Sequence, residues 1–205
     1  MIFKIDRKEA ITRFQNLPLR HYDIKEDEEV FNYPKVFANY ILTLPSKSYK
    51  GHIKMFGEEL VKLLEALKCD YLIFLGDSDL AWLRRFKEHE SFEDSFQYLI
   101  SNKIGKRFNG AIQVPLSEIP LFIKHLAWLV RTNGIVQYVH FVDPNQNIIC
   151  DICQYGNLHI SSKTKAADIL LKNAVSNIKF EYLCEDTCYN KFSKSSSIKG
   201  RQITV

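Results

Sequence analysis

The sequence predicts an α+β fold: a single domain with a mixed, largely buried sheet, including a C-terminal antiparallel hairpin, and helices packed on it. Three observations carry that prediction. From Gly51 to Lys68 the apolar residues Ile53, Phe56, Leu60, Leu63, Leu64 and Leu67 recur at three- and four-residue steps, the pattern of an amphipathic helix. The run Tyr71–Leu75 follows at once, apolar throughout and of strand length. Near the middle of the C-terminal half, Asp143-Pro144-Asn145-Gln146-Asn147 is dense in turn formers between two apolar segments, 135–142 and 148–152, which should pair as antiparallel neighbours.

The remaining elements follow from local chemistry. Asp6 stands three residues before Glu9 at capping-box spacing and opens a short helix near 7–16, ended by Leu17-Pro18. The acidic stretch Asp23–Glu29 reads as a solvated loop, and Val36–Leu44, β-branched and aromatic, as a strand stopped by Pro45. After Gly76-Asp77-Ser78-Asp79 the residues Leu80, Trp82, Leu83 and Phe86 resume helical spacing, so Asp77 or Ser78 is the expected cap of another helix. Ser91 with Asp94 opens the next, carrying Phe92, Phe96, Leu99 and Ile100.

Phe108–Val114 is a strand, and Pro115 and Ser117-Glu118 lead into a helix with Pro120 in its first turn, where proline is tolerated. Asn133-Gly134 closes that helix. Along 135–142, Val136, Tyr138, His140 and Val142 share one face, with Val139 and Phe141 on the other, which marks an interior strand. Leu158–Ile160, a helix over 164–176 and a closing strand over 178–183 complete the domain, taken as residues 1–192. Residues 193–205 are a basic tail, serine-rich and expected to be flexible, with Ile203–Val205 able to pair at a sheet edge.

Charge narrows the possible partners. The chain has a net charge of +4, but Lys191, Lys194, Lys199 and Arg201 lie after residue 190 with no acid among them. The remaining 24 bases balance 24 acids, so the body is neutral and offers no continuous phosphate-tracking stripe. Two basic clusters interleaved with aromatics, Trp82–Lys87 and Lys103–Phe108, stand beside acids such as Glu88, Glu90, Glu93 and Asp94 and read as solvated helix faces rather than a nucleic-acid surface. No apolar run approaches the roughly 18 residues that span a bilayer. The start is charged by Lys4 and has no apolar signal core, so a cytoplasmic location is the default.

Cysteine usage supplies the sharpest chemical pattern. Five cysteines in a chain of 205 residues are an odd number in a domain large enough to fold without staples, which fits a reducing compartment. Cys150-Asp-Ile-Cys153 and Cys184-Glu-Asp-Thr-Cys188 form two close pairs, a soft-ligand set suited to zinc, and Gly156 permits a knuckle-like turn after the first pair. One geometric argument opposes it: on an extended strand Cys150 and Cys153 point to opposite faces.

Around the same hairpin stand His140, Asp143, Asp151, Cys153 and His159, residue types able to form a Cys-His nucleophile pair or a mononuclear site. Asp77 and Asp79, at the end of a buried strand, are a second candidate for cation binding or proton transfer. The glycine-rich, nucleophile-elbow and His-Glu-x-x-His signatures are absent from the sequence. With 24 Tyr and Phe residues and no catalytic signature, the leading expectation is a small intracellular binding protein with a protein partner, for example of the toxin-neutralising immunity type. The alternative is a metal-binding or Cys/His-dependent enzyme using the 138–159 hairpin region and the set Cys150, Cys153, Cys184 and Cys188.

Overall fold

Side-chain caps fix where the helices begin. Asp6 accepts hydrogen bonds from the backbone N–H groups of Lys8 and Glu9 and starts α1 (Arg7–Arg13), while Ser48 accepts from Gly51 at the start of α2 (Tyr49–Ala66). Then come α3 (Glu93–Ser101) and α4 (Ile119–Arg131), the latter entered through a 3-10 turn at Leu116–Glu118. Thr164 caps α5 (Lys165–Val175) by accepting from Ala167. These are features of a computed structural model, which describes residues 1–83, 93–131, 138–183 and 188–192.

Among the described residues ten strands form two sheets. The strands are β1 (Phe3–Ile5), β2 (Leu19–Asp23), β3 (Glu28–Asn32), β4 (Ala38–Thr43), β5 (Tyr71–Gly76), β6 (Ala111–Pro115), β7 (Val139–Val142), β8 (Ile148–Ile152), β9 (Leu158–Ser162) and β10 (Glu181–Tyr182). β2 and β3 make a separate hairpin, and the other eight lie in the order β1-β6-β5-β7-β8-β9-β4-β10. The α+β class and the C-terminal hairpin, β7 with β8, are as the sequence predicts.

The expectation of a mixed sheet is corrected: every pairing is antiparallel. The helical crossover from β6 through α4 to β7 does return the chain in the same direction, but β5 lies between those two strands and runs against both. Two further readings change. The acidic stretch expected as a loop belongs to the β2–β3 hairpin, with Asp27 at positive φ in its turn. Leu80–Leu83 is not helical; Trp82 and Leu83 are buried, and Trp82 donates through Nε1 to the Gly110 carbonyl at 2.8 Å. The rest of that expected helix, the Asn133-Gly134 stop and the tail 193–205 lie outside the described residues.

Cross-strand register sorts the side chains onto two faces, because directly opposed residues point the same way. Phe74, Phe141, Cys150, Ile160 and Tyr40 form one row across β5, β7, β8, β9 and β4. That face meets α2 and α4 in the main core, where the Phe74 ring packs at a tilt against Phe122 and Phe141 with ring centroids 4.7 and 4.6 Å apart. The neighbouring row, Leu75, His140, Asp151, His159 and Ile41, points the other way. On that second face α1 covers a smaller core around Phe14, Ile73, Val142 and Ile149, and Phe31 and Tyr33 from the β2–β3 hairpin and its exit pack on His140. No helix among the described residues is long and apolar enough to cross a membrane.

The two central helices meet most tightly at Gly57, where a Cβ would stand 2.8 Å from Pro120 Cα. Alanine there would gain about 1 kcal/mol of helix propensity. The obstructing atom is backbone, however, and forced overpacking costs about 1–3 kcal/mol. Gly57→Ala is expected to lower the midpoint of urea unfolding; an unchanged or raised midpoint would show that α2 and α4 can part without loss.

Candidate metal centre

The site grows out of the end of β8. Alternation along the strand places Cys153 on the second face with Asp151, opposite to Cys150 and Ile152. The chain then turns through Cys153–Asn157: the Gly156 N–H donates to the Cys153 carbonyl at 2.8 Å and the Cys153 N–H to the Asn157 carbonyl at 3.1 Å. Gly156 has φ +83°, and a Cβ on it would meet Tyr49 at 3.0 Å and His52 and Ile53 at 3.2 Å, so both backbone and space require glycine. The backbone N–H groups of Tyr155 and Asn157 act on the Cys153 sulfur and favour its thiolate, as in a metal knuckle.

The start of α2 holds this turn in place. His52, fully buried, bridges Ser46 Oγ at 2.9 Å through Nδ1 and the Gly156 carbonyl at 2.8 Å through Nε2. A neutral imidazole satisfies both, donating to the carbonyl and accepting from the hydroxyl. Burial pushes its pKa down to about 4, with Lys191 adding to the effect and the Gly156 contact opposing it.

Cys188 arrives from a distant part of the chain. Its segment, 188–192, is fastened by Lys191, whose Nζ donates to Thr43 Oγ1 at 3.1 Å and to the Leu44 carbonyl. The Phe192 ring stands edge-on to Tyr49 and His52, with centroids 5.7 and 5.1 Å away. This brings Cys188 Sγ to 3.2 Å from Cys153 Sγ, and Asn157 Nδ2 donates to it at 2.9 Å. His159, on β9, completes the group: one ligand atom from each of Cys153, His159 and Cys188 lies within 4.8 Å of the others, and all three residues are half-buried.

The charges are distributed unequally. The Cys153 hydrogen bond lowers the Cys188 pKa against the cost of burial, with further help from His159 and Asn157. Burial, together with the neighbouring Cys188, drives Cys153 the other way. Burial opposes a charged His159, but its hydrogen bond with Cys188 and the charge of Asp151 across the strand outweigh this and raise its pKa. Without metal the arrangement therefore favours a Cys188 thiolate receiving the Cys153 S–H, beside an imidazole made more basic than usual.

The other sequence candidates are placed elsewhere. Cys150 is buried in the main core between Phe141 and Ile160, and burial raises its pKa well up. Cys184 lies outside the described residues. His140 is buried beneath Phe31 and Tyr33, and its Nδ1 has no hydrogen-bond partner among the described residues. Asp143 is a turn former: its carboxylate accepts from Asn145 N–H at 3.1 Å and Ile148 N–H at 2.8 Å. Asp77 caps no helix; it accepts from Arg20 Nε at 3.1 Å and ties the β2–β3 hairpin to the end of β5. Asp79 is exposed, with its carbonyl accepting from Asn109. Asn157 escaped sequence reasoning as a functional residue, and its position between Gly156 and His159 was the one available signal.

His52 gives the turn a pH dependence of definite sign. Its folded pKa of about 4 lies below the unfolded 6.5, so its contribution to stability is present above pH 6.5 and is lost as pH falls towards 4 and the unfolded chain takes up the proton first. His52→Gln, which retains a side-chain N–H donor for Gly156, is expected to show a shallower loss of stability than the native protein across that interval. Equal slopes in pH-dependent urea unfolding would remove His52 as the cause.

Comparison of the chain with protein-family models, curated proteins and solved structures finds no match, so the functional reading rests on the geometry above.

Proposed function

We propose that this is a zinc-binding protein in which Cys153, His159 and Cys188 hold the ion and so fasten the segment after β10 to the β8–β9 hairpin. The observation that carries the reading is the convergence of two sulfurs and an imidazole, from three separated positions in the chain, within 4.8 Å. Thiolate and imidazole are the donors zinc selects, whereas calcium and magnesium require oxygen. With Zn–S near 2.3 Å, tetrahedral geometry sets the two sulfurs roughly 3.8 Å apart. The observed 3.2 Å has to open only slightly.

Charge favours the same ion. Two thiolates and a neutral imidazole neutralise a divalent cation, so the loaded half-buried site is a centre with no net charge. Loading releases the Cys153 proton and requires a neutral His159, so affinity falls at low pH. The hydrogen bonds to sulfur from Asn157 Nδ2 and from the turn backbone would remain in the loaded site, as outer-shell bonds that orient the ligands. The reading of the chain as a partner-binding protein rests on composition alone and names no residue set; the metal reading names three.

The test is cobalt(II) and zinc(II) titration of the full chain. One equivalent of cobalt should give thiolate charge-transfer and tetrahedral d–d absorption, displaced by zinc, and chelation should lower the thermal midpoint. Cys153→Ser, His159→Ala and Cys188→Ser should each weaken binding by at least about tenfold, while Cys150→Ser leaves it unchanged. A native protein that takes up no metal, or a Cys188→Ser variant that binds as tightly as the native chain, would sink the reading.

A further inference from the structure

The same two sulfurs suit a second chemistry. At 3.2 Å they stand about 1.2 Å beyond a disulfide bond, and roughly 0.6 Å short of the separation a tetrahedral zinc ion imposes. The other described cysteines, Cys69 and Cys150, are buried in the main core, whereas Cys153 and Cys188 are half-buried and in contact. We propose that Cys153 and Cys188 form a reversible disulfide by exchange with low-molecular-weight disulfides, a modification that excludes the metal from the site. The bond itself stands on the sulfur geometry; only the release of zinc rests on the metal reading above.

The chemistry balances as two exchanges. Cys188, the sulfur that receives the Asn157 N–H, attacks one sulfur of the small disulfide. The S–S bond of the reagent breaks, one thiolate leaves, and Cys188 carries the other half as a mixed disulfide. Cys153 sulfur, next to it, then attacks the Cys188 sulfur and expels the second thiolate. Two protein thiols lose two electrons, the reagent gains them, and it departs as two thiols after taking up two protons. In the loaded protein those protons come from solvent and the zinc ion is set free, because a disulfide sulfur no longer has the charge that held it.

Two features suit the pair to this role. The bond would close a loop spanning 35 positions of sequence between the β8–β9 turn and the terminal segment. The segment is already anchored at Lys191 and Phe192, so both covalent and metal closure hold it in one place. Oxidation therefore exchanges one fastening for another rather than opening the fold.

The experiment treats metal-free and zinc-loaded full chain with oxidised glutathione and follows intact mass, the linked peptide and zinc captured by a chromogenic chelator. The expected result is loss of two hydrogens, a Cys153–Cys188 cross-linked peptide, zinc release in step with it, and full reversal by dithiothreitol. Cys153→Ser should stop at glutathione on Cys188. A metal-free protein that gains no intramolecular bond, or one that links Cys150 or Cys184 instead, overturns the proposal. A protein that binds no zinc but still forms the Cys153–Cys188 bond upholds it while defeating the metal reading. One that binds zinc but resists the reagent with and without the ion does the reverse.

Discussion

Everything at the site depends on the register of β7, β8 and β9. The period of a strand is two, so one residue of slip would exchange the row His140–Asp151–His159 with the row Phe141–Cys150–Ile160. Burial forbids that slip. Phe141, Cys150 and Ile160 sit against Phe74 and the helices of the main core, and moving them to the second face would set His140, Asp151 and His159 in an apolar layer without partners. The core thus selects which face carries the ionisable groups.

The site also inherits its rigidity from packing around it. Gly156 occupies a space closed by Tyr49, His52 and Ile53, and the His52 bridge joins the turn to Ser46 just before α2. Phe192 rests on Tyr49 and His52, so the turn that presents Cys153 and the segment that presents Cys188 share one aromatic support. Two long-range partners placed on a common base lose less freedom when they meet than two held separately, which is the condition a tight metal or disulfide site needs.

Much of the fold was legible in the sequence because local signals agreed with packing. Asp6 caps α1 at the position expected, α5 falls within the expected 164–176, α2 follows its apolar spacing, and the turn at Asp143 returns β8 beside β7. The β2–β3 hairpin was not legible, since its strands are largely exposed and acidic residues at Asp23, Glu28 and Glu29 mimic a loop; among its ties to the sheet are Arg20 on Asp77, a pairing across 57 positions, and Phe31 and Tyr33 on His140. The Leu80–Phe86 periodicity suggested a helix, yet Trp82 is satisfied by the Gly110 carbonyl, a tertiary bond that spacing does not encode. At the site, the Cys-x-x-Cys spacing was visible, but so was the alternation that separates Cys150 from Cys153. His159 and Cys188 are 29 positions apart, with α5 and β10 between them, so only the folded chain reveals their approach.

The unequal charges at the site follow from this arrangement. Cys153 stands deeper, against the turn, whereas Cys188 meets the Asn157 amide and the His159 ring, so a single negative charge settles on Cys188. Asp151, opposite His159 in register, adds a second negative charge near the imidazole and makes a proton on that ring easier to keep. A divalent cation removes the reason for the asymmetry by supplying positive charge to both sulfurs at once, and a disulfide removes it by leaving neither sulfur able to carry a charge. In either state His159 no longer faces a lone thiolate. The group is thus organised around a charge that both proposed chemistries neutralise, and its half-buried position gives that neutralisation its driving force.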